Sequence, residues 1–211
     1  MTGMFTVYLV DDDPGVLKSL SRLLRAKGYD VKPYSSPQIF LEEHDEAIPG
    51  CAVLDVSMPN LDGLEIQDVL TTAIGSHRPV VFVTGKGDIP TSVRAMKGGA
   101  IDFLTKPVKD QDLFEALSRA EAVDAELRRL HSELELMRAK VRTLTPRERE
   151  VLTHVVAGRL NKQIASELGT VEKTIKVHRS RMMEKLGIRT VADLVRMAEK
   201  LNLSKQEKRS Y

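Results

Sequence analysis

The chain has 211 residues, 42% of them hydrophobic and 29% charged, a length that accommodates two small domains and a composition that excludes fibrous and low-complexity classes. Its one cysteine, Cys51, excludes an internal disulfide. With no signal-peptide pattern and no apolar run near the roughly 20 residues of a membrane span, a cytoplasmic protein without a membrane partner is expected. The net charge of +2 hides an asymmetry, −5 over residues 1–119 against +7 over residues 145–211, which points to two domains with different partners, the rear one suited to a polyanion.

The front section alternates strand and helix. FTVYLV (5–10) is apolar and rich in β-formers. Helical spacing follows in Val16, Leu17, Leu20, Leu23 and Leu24, and Gly28 stops it. DVKPY (30–34) predicts an edge strand, because Pro33 lacks a ladder donor. Ile39, Phe40 and Leu41 mark a short helix. CAVLD (51–55) is the third strand, and Leu64, Ile66, Val69 and Leu70 mark the helix after it. PVVFVT (79–84) is the fourth strand, 90–97 the next helix, ended by Gly98-Gly99. AIDFL (100–104) is the fifth strand, and a helix starts near Asp110. Five strands alternating with five helices predict an α/β domain with a doubly wound parallel sheet.

In such a sheet ligands bind beyond the carboxyl ends of the strands. Asp11, Asp12 and Asp13 follow the first strand. The third ends in Asp55, the fourth in Thr84, and Lys106 follows the fifth. Each residue alone has an ordinary structural explanation. Asp13 before Pro14 suits a helix cap, Thr84-Gly85 suits a turn, and a lysine before proline is usually just exposed. Together, at successive strand ends, they point elsewhere. Clustered carboxylates need a counter-charge, and a hard divalent cation with oxygen ligands, Mg²⁺, supplies one. Lys106 and Thr84 would then hold a phosphoryl group placed on an aspartate.

The motifs LVDDD (9–13), LDVSMPNLDG (54–63), VTGKGD (83–88) and DFLTKP (102–107) resemble those of response-regulator receiver domains, which have a flavodoxin-like, CheY-like fold. The resemblance covers residues 1–119. It implies that Asp55 accepts a phosphoryl group from a sensor histidine kinase. It implies that Asp12, Asp55 and the Ser57 carbonyl ligate Mg²⁺ directly, and that Asp11 acts through water. It further implies that Lys106 pairs with the phosphoryl group, that Thr84 swings toward it, and that Phe103 is an aromatic switch turning inward on activation. A cis Lys106-Pro107 bond is expected, and Ser57 and Lys86 are expected to set the phosphoryl lifetime.

From 120 onward, apolar residues fall at Ala120, Val123, Leu127, Leu130, Leu134, Met137, Val141 and Leu144, alternating three and four apart. This is an a/d seam, without Pro or Gly, over a linker placed at 120–143. Two readings stand: a helix packed on its own protein, or a seam that pairs with a second copy through Val123, Leu127, Leu130, Leu134, Met137 and Val141.

Residues 144–211 show no strand pattern. Thr145-Pro146 with Glu148 starts a helix carrying Val151, Leu152, Val155 and Val156. Asn161 starts a second, with Ile164, Ala165 and Leu168, ended by Gly169. TVEKTIKVHRSRMMEKLG (170–187) predicts a third, and a fourth follows Thr190. On the third, Ile175, Met182 and Leu186 share one side, while Lys173, Lys176, Val177, Ser180 and Arg181 lie on another, as in a helix that enters the major groove. TPREREVL, NKQIASELG and KTIKVHR resemble the LuxR-type all-α, four-helix helix-turn-helix domain. The whole chain is therefore similar to response regulators of the NarL/FixJ family, on the FixJ-like side. That resemblance implies that Lys176, Val177 and Ser180 face base edges of double-stranded promoter DNA. Lys162, Lys173, Thr174, His178, Arg179 and Arg181 would hold phosphates or brace the helix. Where the family usually has Ser entering this helix the chain has Val171, so Thr170 is expected to cap it.

The implied function is a phosphorylation-activated, dimeric transcription regulator that works with RNA polymerase. A Mg²⁺-dependent phosphohydrolase on the same carboxylates is disfavoured, because no second general acid stands near Asp55 and a DNA-binding section is appended. A phosphorylation-independent DNA binder, with the front domain as dimer scaffold, is disfavoured by the intact set Asp12, Asp55, Thr84 and Lys106.

Overall fold

The computed structural model describes residues 5–72, 78–85 and 88–203. They form two compact units, Met1–Arg129 and Leu130–Tyr211.

The front unit is a five-stranded sheet in the order β2-β1-β3-β4-β5, every neighbouring pair parallel. The strands are β1 (Thr6–Val10), β2 (Asp30–Tyr34), β3 (Gly50–Leu54), β4 (Val80–Thr84) and β5 (Asp102–Thr105). The helices between them are α1 (Pro14–Ala26), α2 (Pro37–Glu43), α3 (Gly63–Thr72) and α4 (Ile89–Lys97). Every residue of β1, β3 and β4 is buried, as a sheet covered on both faces requires. Successive side chains point to opposite faces. Tyr8, Val10, Leu54 and Phe82 join Phe40 and Ile66 in one core, while Val7, Leu9, Val53 and Val81 join Leu24, Leu113 and Leu117 in the other. Pro33 lies on β2 at the sheet's edge, opposite Leu9.

The fifth strand starts two residues later than its apolar run predicts. Gly99, at φ +91, turns the chain after α4, and the Ala100 N–H still bonds back to the Ala95 carbonyl. Strand pairing begins only at Val81 opposite Asp102. Asp13 does cap α1, its carboxylate accepting from the N–H groups of Gly15 and Val16. Helix α5 then runs unbroken for 33 residues, Asp110–Arg142.

The rear unit holds the end of α5 and four further helices: α6 (Pro146–Val156), α7 (Asn161–Glu167), α8 (Glu172–Leu186) and α9 (Val191–Lys200). Thr145 and Glu148 form a reciprocal capping box at the start of α6, the arrangement their spacing predicts. Ile175, Met182 and Leu186 of α8 are buried with Val151, Ile164 and Leu194. Gly187, at φ +70, closes α8 in the left-handed conformation. Thr170 does not cap α8: Val171 is its N-cap residue and offers no oxygen, leaving the first turn without a side-chain cap.

Candidate phosphoryl-acceptor site and DNA interface

Strand register builds the front site. Val10 pairs with Leu54, so the next residues, Asp11 and Asp55, leave the sheet side by side. Thr84 pairs with Thr105, so Lys106 lies one residue beyond the same edge. This edge includes the gap between β1 and β3, where the strand order reverses, the usual ligand position in such sheets. Asp11, Asp55 and Thr84 are buried, while Asp12 and Ser57 are exposed. The Lys106 ammonium donates to both buried carboxylates, 2.5 Å to Asp11 Oδ2 and 3.0 Å to Asp55 Oδ1. The other Asp55 oxygen accepts the Ser57 N–H at 2.7 Å, and Asp11 Oδ1 accepts the Asp13 N–H at 3.0 Å. The Lys106-Pro107 bond is cis, as the motif implies. Phe103 is half-buried, its ring centroid 6.0 Å from that of Phe82. Lys86 lies outside the described residues.

Burial is the largest influence on Asp11. It raises the carboxyl's pKa, and the Lys106 hydrogen bond and Asp13 N–H offset this only in part. Burial pulls Lys106 down, but the hydrogen bonds and charges of Asp11 and Asp55 outweigh it, so the ammonium titrates above its ordinary value. The lysine is thus a fixed positive charge against two desolvated carboxylates. Among the described residues no three His, Cys, Asp or Glu side chains gather at metal-binding separations. The donor set at this edge is nonetheless all oxygen, two buried carboxylates with an exposed third in Asp12, which is the chemistry a hard cation selects.

Gly63, which the motif contains but which offers no charge or hydroxyl to mark it, is fixed by the site. A Cβ there would lie 2.3 Å from the Asp55 carbonyl oxygen and 3.0 Å from the Phe82 ring. The opposite end of the sheet holds a second feature without a sequence signal. Arg78, 5% exposed, lies 4.4 Å over the Tyr8 ring and donates to the carbonyls of Asp45 and Ile48. Arg128 of α5 donates to the carbonyls of Glu46, Ala47 and Ile48 and to the buried carboxylate of Asp124. Backbone carbonyls are named by no motif, so neither guanidinium could be placed from spacing alone. Cys51 is fully buried, and burial raises its thiol pKa, which disfavours the nucleophilic thiolate.

The heptad positions divide between the two units. Ala120 is buried in the front core and Leu127 is half-buried. Leu134, Met137, Val141 and Leu144 pack into the rear core. Of the six residues expected to pair between copies, Val141 is buried and Leu134 and Met137 are half-buried against the rear core of their own chain. The seam leaves Val123 and Leu130 exposed, 39% and 41%.

On α8 the face expected to meet DNA is open. Lys173, Lys176, Val177, Ser180 and Arg181 are exposed, whereas Thr174, His178 and Arg179 are half-buried. Arg179 Nη1 donates to Asn161 Oδ1 at 3.0 Å, tying α8 to the first residue of α7, and Lys162 beside it is exposed. Lys176 pairs with Glu172 one turn earlier, at 3.1 Å, an exposed pair that phosphate or a base edge can displace.

The receiver-type edge and the helix-turn-helix face define a two-part signalling protein, and comparison with known proteins agrees. The family described as response regulator receiver domain matches residues 7–118, and the family described as bacterial regulatory proteins, luxR family, matches residues 142–198. Nodulation protein W of Bradyrhizobium diazoefficiens is 41% identical over 94% of this chain and 87% of its own length. Transcriptional regulatory protein FixJ of Rhizobium meliloti is 38% identical over 92% of this chain and 95% of its own. The solved structure of response regulator StyR superposes with a TM-score of 0.75 at 43% identity, over 94% of this chain and 100% of that one. The chain belongs to the NarL/FixJ family of response regulators, with a receiver domain followed by a LuxR-type helix-turn-helix domain. No helix among the described residues is long and apolar enough to cross a membrane.

Proposed function

We propose that this regulator is switched by transfer of a phosphoryl group from a sensor histidine kinase to Asp55, and that the phosphorylated chain binds promoter DNA as a homodimer in the cytoplasm, where it engages RNA polymerase. One observation carries this reading: Asp55, buried at a strand end, shares the Lys106 ammonium with Asp11. A carboxylate in that position attacks phosphorus, and Lys106 offsets the charge that arrives on the phosphoryl oxygens. The Ser57 N–H, already on Asp55 Oδ2, orients the nucleophile. Asp12, Asp55, the Ser57 carbonyl and, through water, Asp11 would hold Mg²⁺. The ion when bound supplies positive charge to the transferring group.

The doubly charged product favours whichever arrangement of Thr84, Lys106 and Phe103 contacts it better, and the shift in population is limited by that difference. Helix α4 packs on β5, the strand that carries Phe103, and exposes Ile89, Val93 and Met96 at 79%, 45% and 47%. These fall at i, i+4 and i+7, one apolar stripe. We place the second copy on this stripe of the front unit; of the heptad seam, Val123 and Leu130 stay exposed. In the rear unit, Lys176, Val177 and Ser180 read base edges, and Lys162, Lys173 and Arg181 hold phosphates.

The test is labelling with a small radioactive phosphodonor in Mg²⁺. The wild-type chain should acquire an acyl phosphate that is labile to acid and to base, and Asp55→Asn should acquire none. Undiminished labelling of the variant overturns the assignment.

A further inference from the structure

The last turn of α8 is held from behind. Lys185 Nζ donates to Glu148 Oε2 at 2.6 Å and to the Thr143 carbonyl at 3.5 Å. The same Glu148 oxygen accepts the Thr145 N–H at 2.9 Å, and its side chain is only 4% exposed. From α5, Lys140 Nζ donates to the Leu186 carbonyl at 3.3 Å, lying against Gly187, where a Cβ would approach it to 3.2 Å. These bonds tie the carboxyl end of α8 to the last turn of α5 and the first turn of α6. A helix with 3.6 residues per turn places Lys185 at the flank of α8, one turn after exposed Arg181 and between the face of Lys173, Lys176, Val177 and Ser180 and buried Met182 and Leu186.

We infer that Lys185 is a positioning residue for base-sequence discrimination: held by Glu148 and the Thr143 carbonyl, it fixes the carboxyl end of α8 against the end of α5 and thereby sets how the helix lies in the major groove. The inference rests on α8 being the groove helix. Glu148 supports it independently. A buried carboxylate satisfied by one backbone N–H needs a further partner, and an unpaired buried charge is costly. Lys185 is the partner, so the pair is held on one side by the α6 cap and cannot drift with the helix. Bidentate base contacts depend on placement, and a tilt of the helix moves Lys176 and Ser180 off their edges while leaving mobile phosphate contacts intact.

A basic residue that touches phosphate and one that positions the helix differ in their signatures. Losing a phosphate contact weakens binding to all sequences and lowers the slope of log affinity against log salt by about 1. Losing a positioning contact lowers the ratio of specific to random-sequence affinity and leaves that slope unchanged. The experiment uses the full chain treated with phosphodonor, a duplex selected by it from a random pool, and a random-sequence duplex. Lys185→Gln should lower the specificity ratio about tenfold with an unchanged salt slope, Lys185→Arg should restore much of it, and Glu148→Gln should reproduce the defect, the double variant adding nothing further. A salt slope reduced by about 1, or a specificity ratio that stays at the wild-type value, overturns the inference. If Glu148→Gln does not fold, Lys185→Gln and its Arg rescue decide alone. Lys176→Ala, run in parallel, reports whether α8 is in the groove at all, so a failure there is separable from a failure of the joint.

Discussion

At the scale of single residues, the two sites are held by groups of different legibility. Asp11, Asp55, Thr84 and Lys106 could be read directly, because strand ends in a parallel sheet converge and charged or hydroxyl residues there are conspicuous. Gly63 carries no charge and was legible only as part of a motif, yet its missing Cβ leaves room for the Asp55 carbonyl. Gly63→Ala should therefore reduce phosphodonor labelling of Asp55 and destabilise the receiver domain by about 1–3 kcal/mol, the cost of overpacking. Denaturant unfolding and labelling of the same preparation check both. Glu148 gives a pH prediction. The Lys185 hydrogen bond, then the Thr145 N–H, hold its carboxyl below the ordinary value of 4.5. A depressed folded value means that its contribution is complete above pH 4.5 and is lost as pH falls through the folded value. The rear unit should lose stability over that acid range, and Glu148→Gln should flatten the loss in acid titrations followed by circular dichroism.

Among the elements, α4 and α5 separate what spacing can tell from what it cannot. The heptads in 120–144 carry a helical period, and α5 is unbroken as far as Arg142. They did not reveal its partners, because an a/d stripe is the same whether its cover is a second copy or the chain's own core. Here the cover of Leu134, Met137 and Val141 is the rear core. The α4 stripe was illegible for the opposite reason: three apolar residues in a nine-residue helix look like ordinary core. Ile89→Asp with Val93→Asp should keep Asp55 labelling while reducing phosphodonor-induced dimerisation at least tenfold by sedimentation, through a repulsive charge in an apolar contact. Arg128 gives a second test. Its bonds to three carbonyls and Asp124 fasten α5 to the loop before β3. Arg128→Ala strands Asp124 and should increase hydrogen exchange in 120–129 with little change in the sheet, a local opening worth about 1–3 kcal/mol.

For the whole molecule, charge asymmetry anticipated the division of labour, an acidic receiver and a basic rear domain. It did not locate the division, because charge balance across 120–144 is neutral and composition there is uniform. DNA binding should show the asymmetry: affinity should fall steeply with salt, since phosphate contacts release counterions. Titration of the selected duplex at several salt concentrations checks this. A flat response would contradict a face built from Lys162, Lys173 and Arg181.

Because α5 contributes to both cores, a cut at either end of residues 120–144 removes apolar wall from one of them. A receiver ended at Arg119 would discard Ala120, Asp124 and Arg128, and a rear fragment begun at Leu144 would discard Leu134, Met137 and Val141, leaving apolar wall uncovered. Domain exchange with a related regulator should therefore yield soluble, switchable hybrids when the crossover falls between Arg129 and Leu130, and aggregating ones when it follows the apparent edges of the two domains.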